Sequence, residues 1–174
     1  MKSLFLLLSL FMSLSFLAPA EAWEVSLNFN LDDIKNRNIA KVLAGGVASV
    51  AVHETGHFLV GRALGMDTKY MWNGGPAVGV PDFYNRSETD RAIFAVAGML
   101  SQSIVGTILT ATANESDYTL GFNATSAVAN LSYPFRDSEF SDWHNIPHGK
   151  LVCFSNGFYQ SILTGFNAGF INID

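Results

Sequence analysis

Between Arg91 and Glu115 the chain carries no charged side chain. A helix crosses the hydrocarbon core of a bilayer in about 20 residues, and residues 92–113 supply that length. A second apolar stretch, Ile39 to Met66, is rich in Ala, Gly and Val. A third runs from Leu151 to Ile173 and contains Asn156, Gln160 and Asn167. Only 14% of the 174 residues are charged, against about 25% in an ordinary soluble domain. That is too little charge to cover a water-facing surface, and the deficit falls in these stretches. The expected fold is therefore an all-α membrane protein, a small bundle of two or three transmembrane helices. The third stretch either spans or lies in the interface.

The N-terminus reads as a targeting segment. Lys2 precedes an apolar run from Leu4 to Leu17, and Ala20-Glu21-Ala22 forms an A-x-A cleavage site before Trp23. Residues 1–22 are expected to be a signal peptide, cleaved or kept as a signal anchor, and residues 23–174 a single membrane-embedded domain. Lys69, Arg86 and Arg91, with Arg62 just before them, lie between the first two spans. Arg136 and Lys150 lie after the second among Glu115, Asp117, Asp137, Glu139 and Asp142. The positive-inside rule then puts residues 67–91 on the cytoplasmic side. The expected location is an integral, multi-pass one, which in a bacterium is the inner or plasma membrane. A net charge of -5 without a basic stripe excludes a nucleic-acid partner. Cys153 is the only cysteine, which excludes an intrachain disulfide and a cysteine-based zinc cluster.

Between the spans, Gly65 ends the first helix. Thr68 to Trp72 and Ala77 to Val80 have strand character around the turn Asn73-Gly74-Gly75-Pro76, so a short β-hairpin-like segment follows that helix. Ser87 with Asp90 predicts an N-cap for the next one. Residues 114–150 read as a polar loop with a short helix near Ala124 to Leu131.

The chemistry is concentrated in His53-Glu54-Thr55-Gly56-His57. On a helix, positions i and i+4 share a face one turn apart, so both imidazoles reach one ion. Zinc takes neutral imidazole nitrogen, and a catalytic site leaves one coordination position for water. Glu54 stands beside the first histidine, where it can take that water's proton. Chance patterns of this length occur on soluble core helices. Here the three residues lie inside an apolar stretch, where an ionisable group costs about 2.5–3.5 kcal/mol even on lenient insertion scales, and groups that expensive are usually functional. One Zn2+ ion is the expected cofactor, with His53 and His57 as ligands and Glu54 as the catalytic base.

Two histidines do not complete a zinc site. Asp142, in Ser141-Asp142-Trp143-His144-Asn145, precedes the third apolar stretch and is the first candidate for a third ligand; the alternative is a helix N-cap. His144 and His148 are alternative ligands, although Pro147 between them disfavours one continuous helix.

The run from Ala51 to Gly65, Ala-Val-His-Glu-Thr-Gly-His-Phe-Leu-Val-Gly-Arg-Ala-Leu-Gly, resembles the site-2 protease family of intramembrane zinc metalloproteases. Ala97-Gly98-Met99-Leu100-Ser101-Gln102 resembles a relaxed form of that family's second element, with Met for Pro and Gln for Asn. The resemblance covers roughly residues 45–105. It implies a zinc metalloendopeptidase with Gln102 as a polar neighbour of the metal's water, and a β-segment after the motif helix that helps hold an extended substrate. Ser101 joins Gln102 as a water-positioning candidate. The family's third-ligand element, an Asn-Pro-x-Pro-x-x-Asp-Gly region, has no counterpart here, since Trp143 follows Asp142.

The function expected is zinc-dependent peptide-bond hydrolysis in or at the membrane. The partners are then a protein or peptide substrate, such as a transmembrane segment, and membrane lipid; the oligomeric state is open. Two alternatives stand beside it: a membrane protein that binds a metal or a partner without catalysis, and a soluble secreted zinc metalloprotease.

Overall fold

The computed structural model describes residues 25–27, 35–72, 75–135 and 142–173. The targeting segment, residues 1–22, lies outside them. Among the described residues four α-helices form the bundle: α1 Ile39–Ala63, α2 Glu88–Ala113, α3 Asp117–Ser132 and α4 Gly149–Ala168. β1 Val25–Leu27 pairs antiparallel with β4 Ile171–Ile173. β2 Lys69–Trp72 and β3 Pro76–Gly79 form a separate antiparallel hairpin after α1, in the register Tyr70 opposite Val78.

The helix ends follow the local chemistry. The Asn38 side chain accepts the Lys41 N–H at 3.2 Å, and that of Ser87 accepts the Asp90 N–H at 3.1 Å. Glu88 and Asp90 place negative charge in the first turn of α2. At the other end of α1, Gly65 takes φ 70° and the Met66 N–H reaches back to the Gly61 carbonyl at 2.9 Å. A left-handed residue there lets the chain leave the helix and enter β2.

Small residues set the helix crossings. Gly45 of α1 faces the Tyr118 carbonyl, and Gly121 of α3 faces the Val42 carbonyl, so a methyl group at either would meet backbone. Gly56 seats α1 on α2 against Ser101 and the Ala97 carbonyl, and Gly157 seats α4 on Leu131. At these crossings the helix backbones come into direct contact. The α2–α4 seam is joined by polar side chains: Thr107 Oγ1 lies 2.6 Å from Tyr159 Oη, and Gln160 Nε2 donates to Ser103 Oγ at 3.3 Å.

The interior is unusually polar. Ser49, Thr119, Asn123, Ser126, Asn130 and Gln160 are fully buried. Large apolar side chains are exposed instead: Leu43, Val47 and Leu59 on α1, Leu100, Ile104 and Ile108 on α2, Leu151 and Phe158 on α4. Several of these recur at four-residue spacing, which makes them continuous stripes on the outer faces.

Two expectations need correction. The bundle has four helices among the described residues, because the short helix expected near Ala124 to Leu131 extends over Asp117–Ser132 as α3 and takes up much of what reads as a polar loop. Its Asn, Ser and Thr side chains turn inward to the polar interior, so its sequence lacks the apolar run that marks the others. The third apolar stretch ends as a helix at Ala168; Gly169, at φ 77°, terminates it, and Ile171–Ile173 is a strand. Among the described residues α2 alone is long and apolar enough to cross a membrane by length and composition.

Candidate metal centre

His53 and His57 lie one turn apart on the face of α1 that looks into the bundle, each only 4% exposed. Their Nε2 atoms are 3.0 Å apart. Asp142 opens a short 3-10 helix, Asp142–Asn145, in the connection between α3 and α4. Its Oδ2 stands 3.2 Å from His53 Nε2 and 3.3 Å from His57 Nε2. Gly149 lets this turn fold over the start of α4, since a Cβ there would strike the Trp143 backbone. Ligand atoms about 2.05 Å from a tetrahedral ion stand about 3.3 Å apart. The three atoms therefore match one face of a zinc coordination tetrahedron.

The tautomers agree with that reading. The Phe94 carbonyl can only accept, so His57 Nδ1, 2.8 Å away, carries the proton. Gln102 Nε2 donates to the Ser49 carbonyl at 3.2 Å and to Ser49 Oγ at 2.9 Å. Its Oε1 consequently turns to His53 and accepts from Nδ1 at 3.1 Å. With both Nδ1 atoms protonated, both Nε2 atoms present lone pairs to the same point, which Asp142 shares. Three acceptors converging without a donor among them form a site for a cation.

Around the ligands, the Phe94 ring stacks on His57 with centroids 4.9 Å apart. Gly98 faces both imidazoles, with room for no side chain. Glu54 is half-buried, within electrostatic reach of His53, His57 and Asp142, and accepts a hydrogen bond from the Val78 N–H of β3. The catalytic candidate thus lies against the hairpin. Behind the ligands, Ser49 Oγ and Ser126 Oγ are 2.8 Å apart, and the Asn130 amide donates to the Ser126 carbonyl at 2.8 Å.

The candidate residues separate clearly. His53, His57 and Asp142 come together, with Glu54 beside them. Gln102 sits behind His53 rather than facing the cluster. Ser101 packs at the α1–α2 crossing opposite Gly56. His144 stacks on Trp143 with centroids 3.6 Å apart, and His148 takes φ 55° at the start of α4; neither joins the ligand group among the described residues. Sequence reasoning did not find Phe94, Gly98, Ser126, Asn130 or Tyr133. Of these only Gly98 stood in the family-like element from Ala97 to Gln102, and there as one of several small residues.

The convergence of His53, His57 and Asp142 makes a direct test possible. Tight structural zinc sites are worth about 12 kcal/mol over four ligands, so one ligand is worth about 3 kcal/mol. Asp142→Ala is expected to weaken zinc binding roughly a hundredfold, read by competition with a chromophoric chelator. His144→Ala and His148→Ala should leave the affinity unchanged.

No family model, curated protein or solved structure matches the chain.

Proposed function

We propose that this protein is a zinc-dependent endopeptidase of the site-2 protease kind, acting on peptide bonds in or at a membrane. The observation that carries the proposal is the convergence of His53 Nε2, His57 Nε2 and Asp142 Oδ2 within 3.0–3.3 Å of one another, with the carboxylate of Glu54 beside them. Three protein ligands and an adjacent base form the donor set of a catalytic zinc, whereas a structural site closes with four. Bound zinc would supply activated water at neutral pH by lowering its pKa to about 7.

Glu54 takes a proton from the attacking water as the water oxygen adds to the amide carbonyl carbon. It then delivers that proton to the amide nitrogen as the C–N bond breaks; the second water proton stays on the new carboxyl group, so the products are a carboxylic acid, which ionises to solvent, and an amine, and the base is regenerated. Gln102 holds His53 in the tautomer that ligates. Ser49, Ser126 and Asn130 fix Gln102 in turn.

The membrane reading rests on the exchange of surface and interior. Apolar stripes on α1, α2 and α4 face outward while amides and hydroxyls are buried inside, which suits lipid around the bundle. A membrane substrate must lose its helix before a carbonyl becomes accessible. The hairpin offers the opened segment a strand to pair with, and β3 adjoins Glu54.

The full-length protein, reconstituted in liposomes with a single-span reporter, should cleave it. Stripping zinc with phenanthroline should stop cleavage, and about one zinc per chain should restore it. Stoichiometric zinc without any cleavage would favour a non-catalytic metal-binding role. Release from membranes in alkaline carbonate would move the protein to the soluble metalloprotease alternative.

A further inference from the structure

We propose that Tyr133 is a catalytic residue of this site, the donor that stabilises the negative charge on the carbonyl oxygen as water adds; the inference rests on the hydrolase reading above. Tyr133 ends α3: its N–H still bonds the Ala129 carbonyl, and it begins the 3-10 turn Tyr133–Phe135, in which Pro134 is buried. The ring lies 5.9 Å from the His53 ring, tilted by 56°. Its hydroxyl is 3.4 Å from His53 Nε2. Because His53 Nδ1 holds that ring's proton, Nε2 can only accept, so the phenol points its hydrogen at the ligand cluster. An ion held at Nε2 would then lie within about 5.5 Å of the phenol oxygen, which would place the phenol beside a carbonyl bound there.

The site needs such a donor. Glu54 and Asp142 are carboxylates. Gln102, the polar neighbour suggested by the family resemblance, directs both amide hydrogens at Ser49 and has none left for substrate. A neutral phenol in a partly dehydrated site can supply the missing hydrogen bond without competing for the metal, and removing one such donor typically lowers kcat roughly 10²–10³-fold.

The test is Tyr133→Phe, which keeps the ring and removes only the hydroxyl. With the reconstituted protein and the single-span reporter, kcat should fall roughly 10²–10³-fold with KM within about twofold and zinc content unchanged. A second readout does not depend on turnover. In the cobalt-substituted protein, the visible spectrum reports binding of phenylphosphonate, a tetrahedral oxyanion. Tyr133→Phe should weaken that binding about tenfold or more, in keeping with one lost hydrogen bond to a charged group.

Unchanged kcat and unchanged phosphonate affinity would overturn the proposal and leave the hydrolase reading intact. Zinc affinity reduced tenfold or more would make Tyr133 a metal ligand and overturn the proposal equally. A parent protein that never cleaves, yet binds phenylphosphonate through the hydroxyl, would overturn the hydrolase reading while keeping the oxyanion donor.

Discussion

Glu54→Gln is expected to lower cleavage roughly 10²–10⁴-fold, the range of a lost general base, while the protein keeps about one zinc per chain. Glutamine matches glutamate in shape and can still accept the Val78 N–H, so the contact with β3 survives. Its amide oxygen is too weak a base to take a proton from water. Glu54 is not one of the three converging ligand atoms, so metal affinity should stay within about threefold of the parent. The split between zinc content and kcat is the informative result. Loss of zinc together with activity would make Glu54 a structural support of the ligands. Cleavage that survives the substitution would remove Glu54 from the chemistry and the peptidase reading with it.

The motif residues were legible because their spacing is a property of one helix: His53 and His57 share a face wherever α1 goes. Gly65 and the Ser87 cap were legible for the same local reason. Asp142 was legible only as a candidate, since its approach depends on a turn folding back over α4. His144 and His148 stood only as alternative ligands, and the 3-10 turn directs His144 onto Trp143. α3 was legible only as a short helix near Ala124 to Leu131, where the structure has Asp117–Ser132. A helix whose Asn123, Ser126 and Asn130 point into the bundle reads as a polar loop when polar residues are assumed to face water. Asn123 and Asn130, each of which begins an N-x-[ST] pattern, are thereby buried.

The same inversion explains why apolar length was an uneven guide. α2 keeps a high mean hydropathy because its interior contacts are largely Ala, Gly and Met, with Gln102 the main exception. α1 carries two histidines and Glu54, and α4 carries Asn156, Gln160 and Asn167, so both lose hydropathy to the interior they build. Their outward faces are nonetheless lined by Leu43, Val47, Leu151 and Phe158. In a bundle with a polar inside, the stripe a helix exposes says more about its surroundings than its average does.

Gly98→Ala is expected to abolish zinc binding at micromolar metal, although it adds one methyl group on a helix that is otherwise a good host for alanine. A Cβ at Gly98 would stand 2.5 Å from His57 Nε2 and 2.7 Å from both Nε2 and Cε1 of His53, closer than carbon and nitrogen can pack. Helix α2 cannot simply withdraw, because Gly56 already holds α1 against the Ala97 carbonyl. The imidazoles must turn, and turning takes Nδ1 off Phe94 and Gln102 as well as Nε2 off the metal. At about 3 kcal/mol per ligand, losing both amounts to roughly 10⁴ in affinity. The fold itself should lose only about 1–3 kcal/mol, the usual range for an overpacked site. Gly106→Ala is the matched control, two turns along the same helix and facing Asn123 and Gln160; it should lower thermal stability and leave zinc affinity alone. Chelator competition and helical circular dichroism on both variants separate the outcomes. Parental zinc affinity in Gly98→Ala would mean that the two imidazoles do not converge beneath α2, and the metal centre would have to be rebuilt from other residues.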